Sequence, residues 1–262
     1  MKNSACEECN SNSNPDRVIK RRNFISYAVF IGLGFGAFKS WEWLYHAPSE
    51  SAGVTARARK PLRAALDRTE LFFRKFFSND HLVKTYPKSW AAKRVRVNSN
   101  IGMTDKDFAV GNWELYVHKG VDDILNIKMD EIKKLPKSEI VFDFKCVEGW
   151  DQIQHWGGVK FADFIDYYQL KNLTSLQYVG MKTPDGKYFV GLDMESAMHP
   201  QTILAYEMNG EPLLPEHGAP LRLIIPVKYG IKNLKRIGTI AFSDHRPPDY
   251  WAKRGYDYYS GL

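Results

Sequence analysis

The sequence predicts an α+β fold: a strand-rich, mixed-sheet domain behind an N-terminal signal or anchor helix. Three observations lead there. Beyond Tyr86 the chain runs as short period-two segments punctuated by turn signals. Only two helical stretches, "MDEIKKL" and "VKFADFIDYYQL", interrupt them. The N-terminus passes from basic to apolar to aromatic. With 262 residues, 44% hydrophobic and 14% aromatic, the chain can bury a sizeable core but is short for two full domains once a tail is set aside. The expected division is a signal or anchor over residues 1–45, a linker with one amphipathic helix over 46–90, and a single globular domain over 91–262.

At the N-terminus, Arg17, Lys20, Arg21 and Arg22 precede an uncharged run from Phe24 to Phe38, followed by Lys39 and "SWEWLYHAP". As a helix, that run spans only ~22 Å, short of the about 30 Å of a bilayer's hydrocarbon core, so it suits a signal segment, or a tether if "SWEWLY" is drawn in. "RRNFI" resembles a twin-arginine export signal. No small-x-small cleavage site follows promptly, which favours an uncleaved tether. Cys6 and Cys9 form a lone "CEEC" without a second ligand pair, and with Cys146 the count is an odd three, so no disulfide framework is implied.

The linker helix is "LRAALDRTELFFRKFF", with Leu62, Leu66, Leu71 and Phe73 near one stripe and Phe72, Phe76 and Phe77 widening it. Docking on the domain is its expected use; its arginines leave a membrane-surface role as the alternative. The strands expected next are "KRVRVNS", "WELYVHK", "EIVFDFKC", "LQYVGMKT", "KYFVGLD", "TILAYEMNG", "PLRLIIPV" and "RIGTIAFSD", with "TPDGK" as a hairpin turn. In "VKFADFIDYYQL", Val159, Phe161, Phe164, Ile165 and Tyr168 share the inward face. There is no Gly-x-Gly-x-x-Gly and no Walker loop, so a nucleotide fold has nothing to rest on.

A net charge of +7 suits an anionic partner: nucleic acid, acidic lipid or a bound phosphate. No nucleic-acid motif accompanies it. His118, His155, His199, His217 and His245 show no metal-ligand spacing and are read as scattered surface or loop residues. One thiol stands out. In "EIVFDFKC" the period of two places Ile140, Phe142, Phe144 and Cys146 on one face and Val141, Asp143 and Lys145 on the other. A cysteine ending a buried stripe can be a small hydrophobe, a catalytic thiol or a soft-metal ligand, and the residues alone leave all three open.

"KCVEGW" (145–150), "YVGMKT" (178–183), the long run from Ala197 to Ile237 and "RPPDYW" (246–251) resemble, in order and spacing, the molybdopterin-binding domain of the sulfite oxidase superfamily, in its bacterial periplasmic methionine-sulfoxide reductase branch. The resemblance runs from about Val95 to the C-terminus. It implies a sulfite-oxidase-type fold and a Mo-molybdopterin cofactor with one pterin and one Mo. Cys146 would be both metal ligand and catalytic residue. Thr183, Arg222 in "GAPLRL", and Asn233, Leu234 and Lys235 in "NLK" would bind the cofactor, the lysine and the loop backbone at the pterin phosphate. Two positions depart from the family pattern. His217 stands where the reductase branch carries Asn, and the family's N-terminal cofactor run is echoed only by "VNSNIG", where Asn98 is matched, with Asn100 as the alternative.

The same resemblance bears on substrate and partners. Sulfite oxidases place positive charge after the metal cysteine, whereas Val147, Glu148 and Gly149 follow here, and a carboxylate would repel a doubly charged oxyanion. The expected reaction is reduction of a small-molecule or protein-bound sulfoxide by oxygen-atom transfer. A sulfite-type oxidase with the same cofactor, or a cofactor-free binding domain, are the alternatives. Trp150 and Trp156 are read as core packing rather than as lining the substrate approach. No haem-attachment motif is present, so electrons are expected from a separate membrane haem protein. The twin-arginine machinery would export the folded chain to the periplasm, with residues 24–45 as a tether, and a monomer is expected.

Overall fold

The structure is a computed structural model and describes residues 15–49, 59–76, 81–104 and 108–262. Cys6, Cys9 and Phe77 lie outside the described residues. The chain divides into two compact units, Met1–Ser49 with Arg59–Pro61, and Glu50–Ala58 with Leu62–Leu262.

The first unit is built on helix α1 (Pro15–His46). Its 32 residues extend about 48 Å, more than the Phe24–Phe38 run alone suggested. Lys39, a good helix former that pairs with Glu42 at 2.6 Å, does not end the helix, which carries through Trp41, Trp43 and Tyr45. Within Ile19–His46 a stretch of 18 residues reaches a mean hydropathy of 1.3, so α1 is long and apolar enough to cross a membrane. At its end the Arg59 guanidinium donates to the Ala47 carbonyl at 2.9 Å and lies over the Tyr45 ring.

The second unit holds helix α2 (Lys60–Phe76) from Leu62 onward, and two sheets. The first sheet is ordered β2-β1-β10-β5-β6, from β1 (Glu114–His118), β2 (Ile124–Lys128), β5 (Tyr178–Lys182), β6 (Phe189–Asp193) and β10 (Thr239–Ser243). Its β1–β10 pair is parallel and its other pairs antiparallel, hence a mixed sheet. The second sheet runs β3 (Lys137–Lys145), β4 (Asp151–Lys160), β7 (Ile203–Met208), β8 (Glu211–Pro212), with β9 (Arg222–Ile224) also on β7. Short helices α3 (Met129–Ile132), α4 (Phe161–Tyr167) and α5 (Met194–Ala197) fill in between. Leu115, Val117, Val179 and Ile240 of the first sheet join Phe161, Phe164 and Ile165 of α4 and Leu204, Leu221 and Leu223 in one buried cluster. A second cluster collects Ile140, Phe142, Phe144, Trp156 and Ala205.

Expectation and structure part in several places. "KRVRVNS" is not a strand: Val95 is buried as a strand pattern demands, but the backbone is held by the Gln152 side chain, which accepts from Arg96 N at 3.0 Å and donates to Arg94 O at 3.2 Å, so no ladder forms. β4 was not expected, because "DQIQHWGGVK" mixes polar and glycine positions, and its register shifts at Gly157/Gly158. Val159 accordingly belongs to β4 and not to α4. His155, His199 and His217 are buried rather than on the surface. Packing against the sheets also reaches back before residue 91: Val83 exchanges two hydrogen bonds with the Gln201 side chain, and Tyr86 N donates to Val141 O.

Candidate cofactor site

Cys146 follows β3 directly, and a tight turn fixes it. Its N–H donates to Trp150 O at 2.9 Å, Gly149 N donates back to Cys146 O at 3.1 Å, and Gly149 takes a φ of 83°, open to glycine without strain. The stripe of Ile140, Phe142 and Phe144 buries the strand that delivers the thiol. Val141, assigned to the outer face, is buried as well. Cys146 itself is 5% exposed and faces a small cavity of about 70 Å³ lined by Asn98, Ser99, Glu148, Tyr188, Asn233, Lys235 and Trp251, among others. A larger depression of about 630 Å³ lies elsewhere, between Trp113, Lys128, Tyr206 and Pro220, and holds no thiol.

Three further elements converge on the cavity. The segment between β9 and β10 supplies Asn233 and Lys235. Asn233 shapes that segment: its Oδ1 accepts from Ile225 N at 2.8 Å and its amide donates to Tyr229 O at 3.1 Å. The loop from Asn98 to Gly102 lies across Lys235, whose Nζ donates to the carbonyls of Asn98 (2.6 Å), Ser99 (3.0 Å) and Glu216 (2.8 Å). The β5–β6 hairpin supplies Tyr188, which sequence reading passed over; its hydroxyl donates to Ile231 O at 2.5 Å, and burial beside Asp249 keeps it protonated.

Of the remaining expected residues, Arg222 and His217 sit just behind the cavity. The Arg222 guanidinium donates to His217 O at 2.9 Å and Asn233 O at 3.3 Å and lies 4.5 Å from the Trp156 ring centroid, while its Nε is buried without a partner. Trp156 is therefore core packing that also seats an arginine. Thr183 and Leu234 do not reach the cavity. The Thr183 hydroxyl is spent on the hairpin, donating to Asp185 at 2.6 Å, and its side chain abuts Gly102. Leu234 is fully buried, and both its backbone groups are engaged, N–H to Lys232 O and carbonyl to Leu223 N. Gly218 lets the His217 turn close on this segment: at a φ of 101°, an added Cβ would stand 2.8 Å from Lys235 Cβ and 2.9 Å from Arg236 N. Gly218→Ala should cost about 1–3 kcal/mol from the strained backbone, read by urea unfolding.

The electrostatics are one-sided. Of the buried cations from Arg222 to Lys235, two are paired with acids: Lys228 with Asp193 at 3.0 Å and Lys232 with Asp249 at 2.6 Å. Among the described residues, Arg222 and Lys235 have only neutral carbonyl partners. Burial pulls Arg222 down to about 9. Burial and the nearby Arg222 charge pull Lys235 down to about 7, and burial with Arg222 and Lys235 pulls His217 down to about 4. Such a cluster favours an anion. Burial also pushes the Cys146 thiol up, opposed by backbone hydrogen bonds and Arg96 and reinforced by Glu148. Glu148 is tied to Trp150, whose Nε1 donates to it at 2.9 Å; Trp150 in turn stacks on Phe144. Among the described residues no three His, Cys, Asp or Glu side chains converge as a metal site.

A thiol and Lys235 at one cavity, with Arg222 behind it and both cations hydrogen-bonded only to neutral carbonyls among the described residues, fit a soft metal carried on an anionic organic group. The chain is 32% identical over 178 residues to the protein-methionine-sulfoxide reductase catalytic subunit MsrP of Campylobacter jejuni, covering 60% of this chain and 59% of that one. It is 34% identical over 166 residues to the MsrP of Ralstonia nicotianae, covering 57% and 50%. The chain thus spans little more than half the length of these relatives. Among solved structures, the sulfane dehydrogenase SoxCD of Paracoccus pantotrophus gives a TM-score of 0.48 at 18% identity, over 53% of this chain and 40% of that one. The family described as "oxidoreductase molybdopterin binding domain" matches residues 101–251, a stretch that contains Cys146, Arg222 and Lys235, and to that family this chain belongs.

Proposed function

We propose that the chain binds a molybdenum cofactor with one pterin at the Cys146 cavity and reduces S-oxides of the methionine sulfoxide type in the cell envelope. The observation that carries this reading is the pairing of one thiol with Arg222 and Lys235, two buried cations whose described partners are all neutral. When bound, the cofactor supplies two-electron oxygen-atom transfer. Cys146 contributes a sulfur that must give up its proton to ligate, and Lys235 contributes an ammonium whose carbonyl partners a phosphate oxygen can replace. Arg222 braces the Asn233 and His217 backbone from behind, and Asn98 and Asn233 form the walls. A pterin is larger than the present cavity, so admitting it requires the Asn98–Gly102 loop to move off Lys235. For Thr183 the role supported is indirect, as a support beneath that loop at Gly102, and for Leu234 it is anchoring the Asn233–Lys235 segment in the core.

Glu148 supports a neutral substrate, since its carboxylate lines the same cavity as the thiol and would repel a dianion such as sulfite. The electrons would come from a separate membrane haem protein. Export by the twin-arginine route to the periplasm, a tether through α1, and a monomeric state complete the reading. Its test is metal analysis of protein from a molybdenum-replete host, followed by steady-state assays of methionine sulfoxide reduction and sulfite oxidation. About one Mo per chain with sulfoxide turnover is expected. Sulfite turnover in its place would move the chain to the oxidase class, and a folded, metal-free protein would end the assignment.

A further inference from the structure

We propose that α2 is an interfacial helix that lays an apolar face into an anionic lipid surface while its opposite edge holds the domain. A surface helix of a globular domain ordinarily turns its apolar stripe to the core and its charges to water. Among the described side chains of α2 this division is not kept. Two arginines reach the domain: Arg63 donates to Tyr256 O at 3.2 Å, and Arg74, with a side chain only 12% exposed, donates to the Tyr178 hydroxyl at 2.9 Å and pairs with Glu195 at 3.3 Å. Phe73, stacked on Tyr259 at 6.1 Å, lies between that edge and Leu62 in the helical register and is still half exposed. At 100° per residue, Arg63 and Arg74 lie 20° apart on the helix. The apolar arc falls well away from them. Leu62, Phe72 and Phe76 are 52%, 59% and 66% exposed, and Phe72 and Phe76 pack on each other at 4.8 Å. Leu71, counted with that stripe from sequence, lies on the far side of the helix instead, because nine residues after Leu62 is two and a half turns.

Two further features select lipid over other coverings. In the helical register, the arc from Arg68 through Phe72, Phe76 and Leu62 contains no Asp or Glu, and it is flanked on one side by the exposed Arg68 and Lys75. An apolar stripe edged by basic side chains is the pattern of a helix lying at the headgroup boundary of an anionic bilayer. In addition, α2 begins fourteen residues after the end of α1, the helix long and apolar enough to cross a membrane. Fourteen residues reach at most about 50 Å, so only a short stretch of chain joins α2 to that apolar helix. The site would then be carried close to the membrane, which bears on which sulfoxides and which electron donor can reach it.

The test uses the full chain reconstituted in vesicles of phosphatidylethanolamine and phosphatidylglycerol, with a photoreactive benzoylphenylalanine at position 72 or 76. Lipid adducts at both positions are expected, falling by about tenfold in vesicles of phosphatidylcholine alone as the basic flank loses its counter-charge. Hydrogen exchange gives a second measure: amides of 62–76 should exchange about tenfold more slowly in the anionic vesicles, and Phe72→Glu with Phe76→Glu should remove that protection while residues 108–251 keep theirs. Adducts to a second copy or to another protein, or no adduct at either position, would overturn the proposal. So would protection that is equal in both lipids and survives the double substitution, which would make α2 a helix held by the domain alone.

Discussion

If the proposed function holds, Cys146→Ser leaves the fold intact and lowers sulfoxide turnover by at least about 100-fold, together with most of the bound molybdenum; the factor is set above the 10–100-fold seen when outer-shell partners of a metal ligand are lost. The two side chains are nearly the same size, the position is 5% exposed, and the turn around it is held by backbone bonds, Cys146 N to Trp150 O and Gly149 N to Cys146 O, that serine keeps. A stability change within about 1 kcal/mol is therefore expected. The chemistry changes far more. A thiol whose pKa burial has raised can still be deprotonated by a metal, whereas a serine hydroxyl in the same dry position is a much weaker acid and a harder, poorer ligand for a soft centre. Urea unfolding, metal analysis and initial rates on one preparation decide the matter. Unchanged turnover with a full complement of metal would remove Cys146 from the site.

That thiol was legible in the sequence because it ends a period-two apolar run, and the strand and its buried face follow from alternation alone; the resemblance supplied its role. Lys235 and Asn233 likewise belong to a recognisable run and do meet Cys146 at one cavity. What could not be read was how each residue's polar groups are spent. Thr183 sits in the matched motif, but its hydroxyl is consumed by Asp185 in the hairpin, and the backbone of Leu234 is consumed by Lys232 and Leu223. Such choices depend on partners far apart in the chain, which no local pattern records. Tyr188 and the Lys228–Asp193 and Lys232–Asp249 pairs were missed for the same reason. The run of lysines does not say which amine meets an acid: Lys228 meets Asp193 and Lys232 meets Asp249, while Lys235 meets carbonyls. In β4 the signal was weak because Gly158 replaces a side chain where the neighbouring strand comes closest: an added Cβ would stand 2.0 Å from Leu204 O.

Lys235→Met is expected to weaken cofactor retention by about 10- to 150-fold, the equivalent of losing one charge-assisted hydrogen bond of about 1.5–3 kcal/mol, while flattening the pH dependence of the cofactor-free protein's stability on its alkaline side. The sign follows from the shift. Burial and Arg222 lower Lys235 from 10.5 to about 7 in the folded chain. Between those values the unfolded chain holds a proton that the folded chain lacks, so stability rises with pH through that window, by at most about 1.4 kcal/mol per unit. Above 10.5 the penalty is absent, and below about 7 it is fully developed. Methionine cannot titrate, so the slope contributed by this residue disappears in the variant. The acid-side contribution of His217, lowered from 6.5 to about 4, is expected to remain in direction: stability falls as pH drops through that range. Absolute stability discriminates less well, because removing a buried cation is offset by stranding the carbonyls of Asn98, Ser99 and Glu216. The slope is not subject to that offset, since those carbonyls do not titrate. Binding an anion beside Lys235 should raise its pKa toward that of the unfolded chain and flatten the wild-type curve in the same way, so loaded wild-type protein and cofactor-free variant should converge between pH 7 and 10. A wild-type slope over that interval that loading leaves unchanged would mean that the anion binds elsewhere.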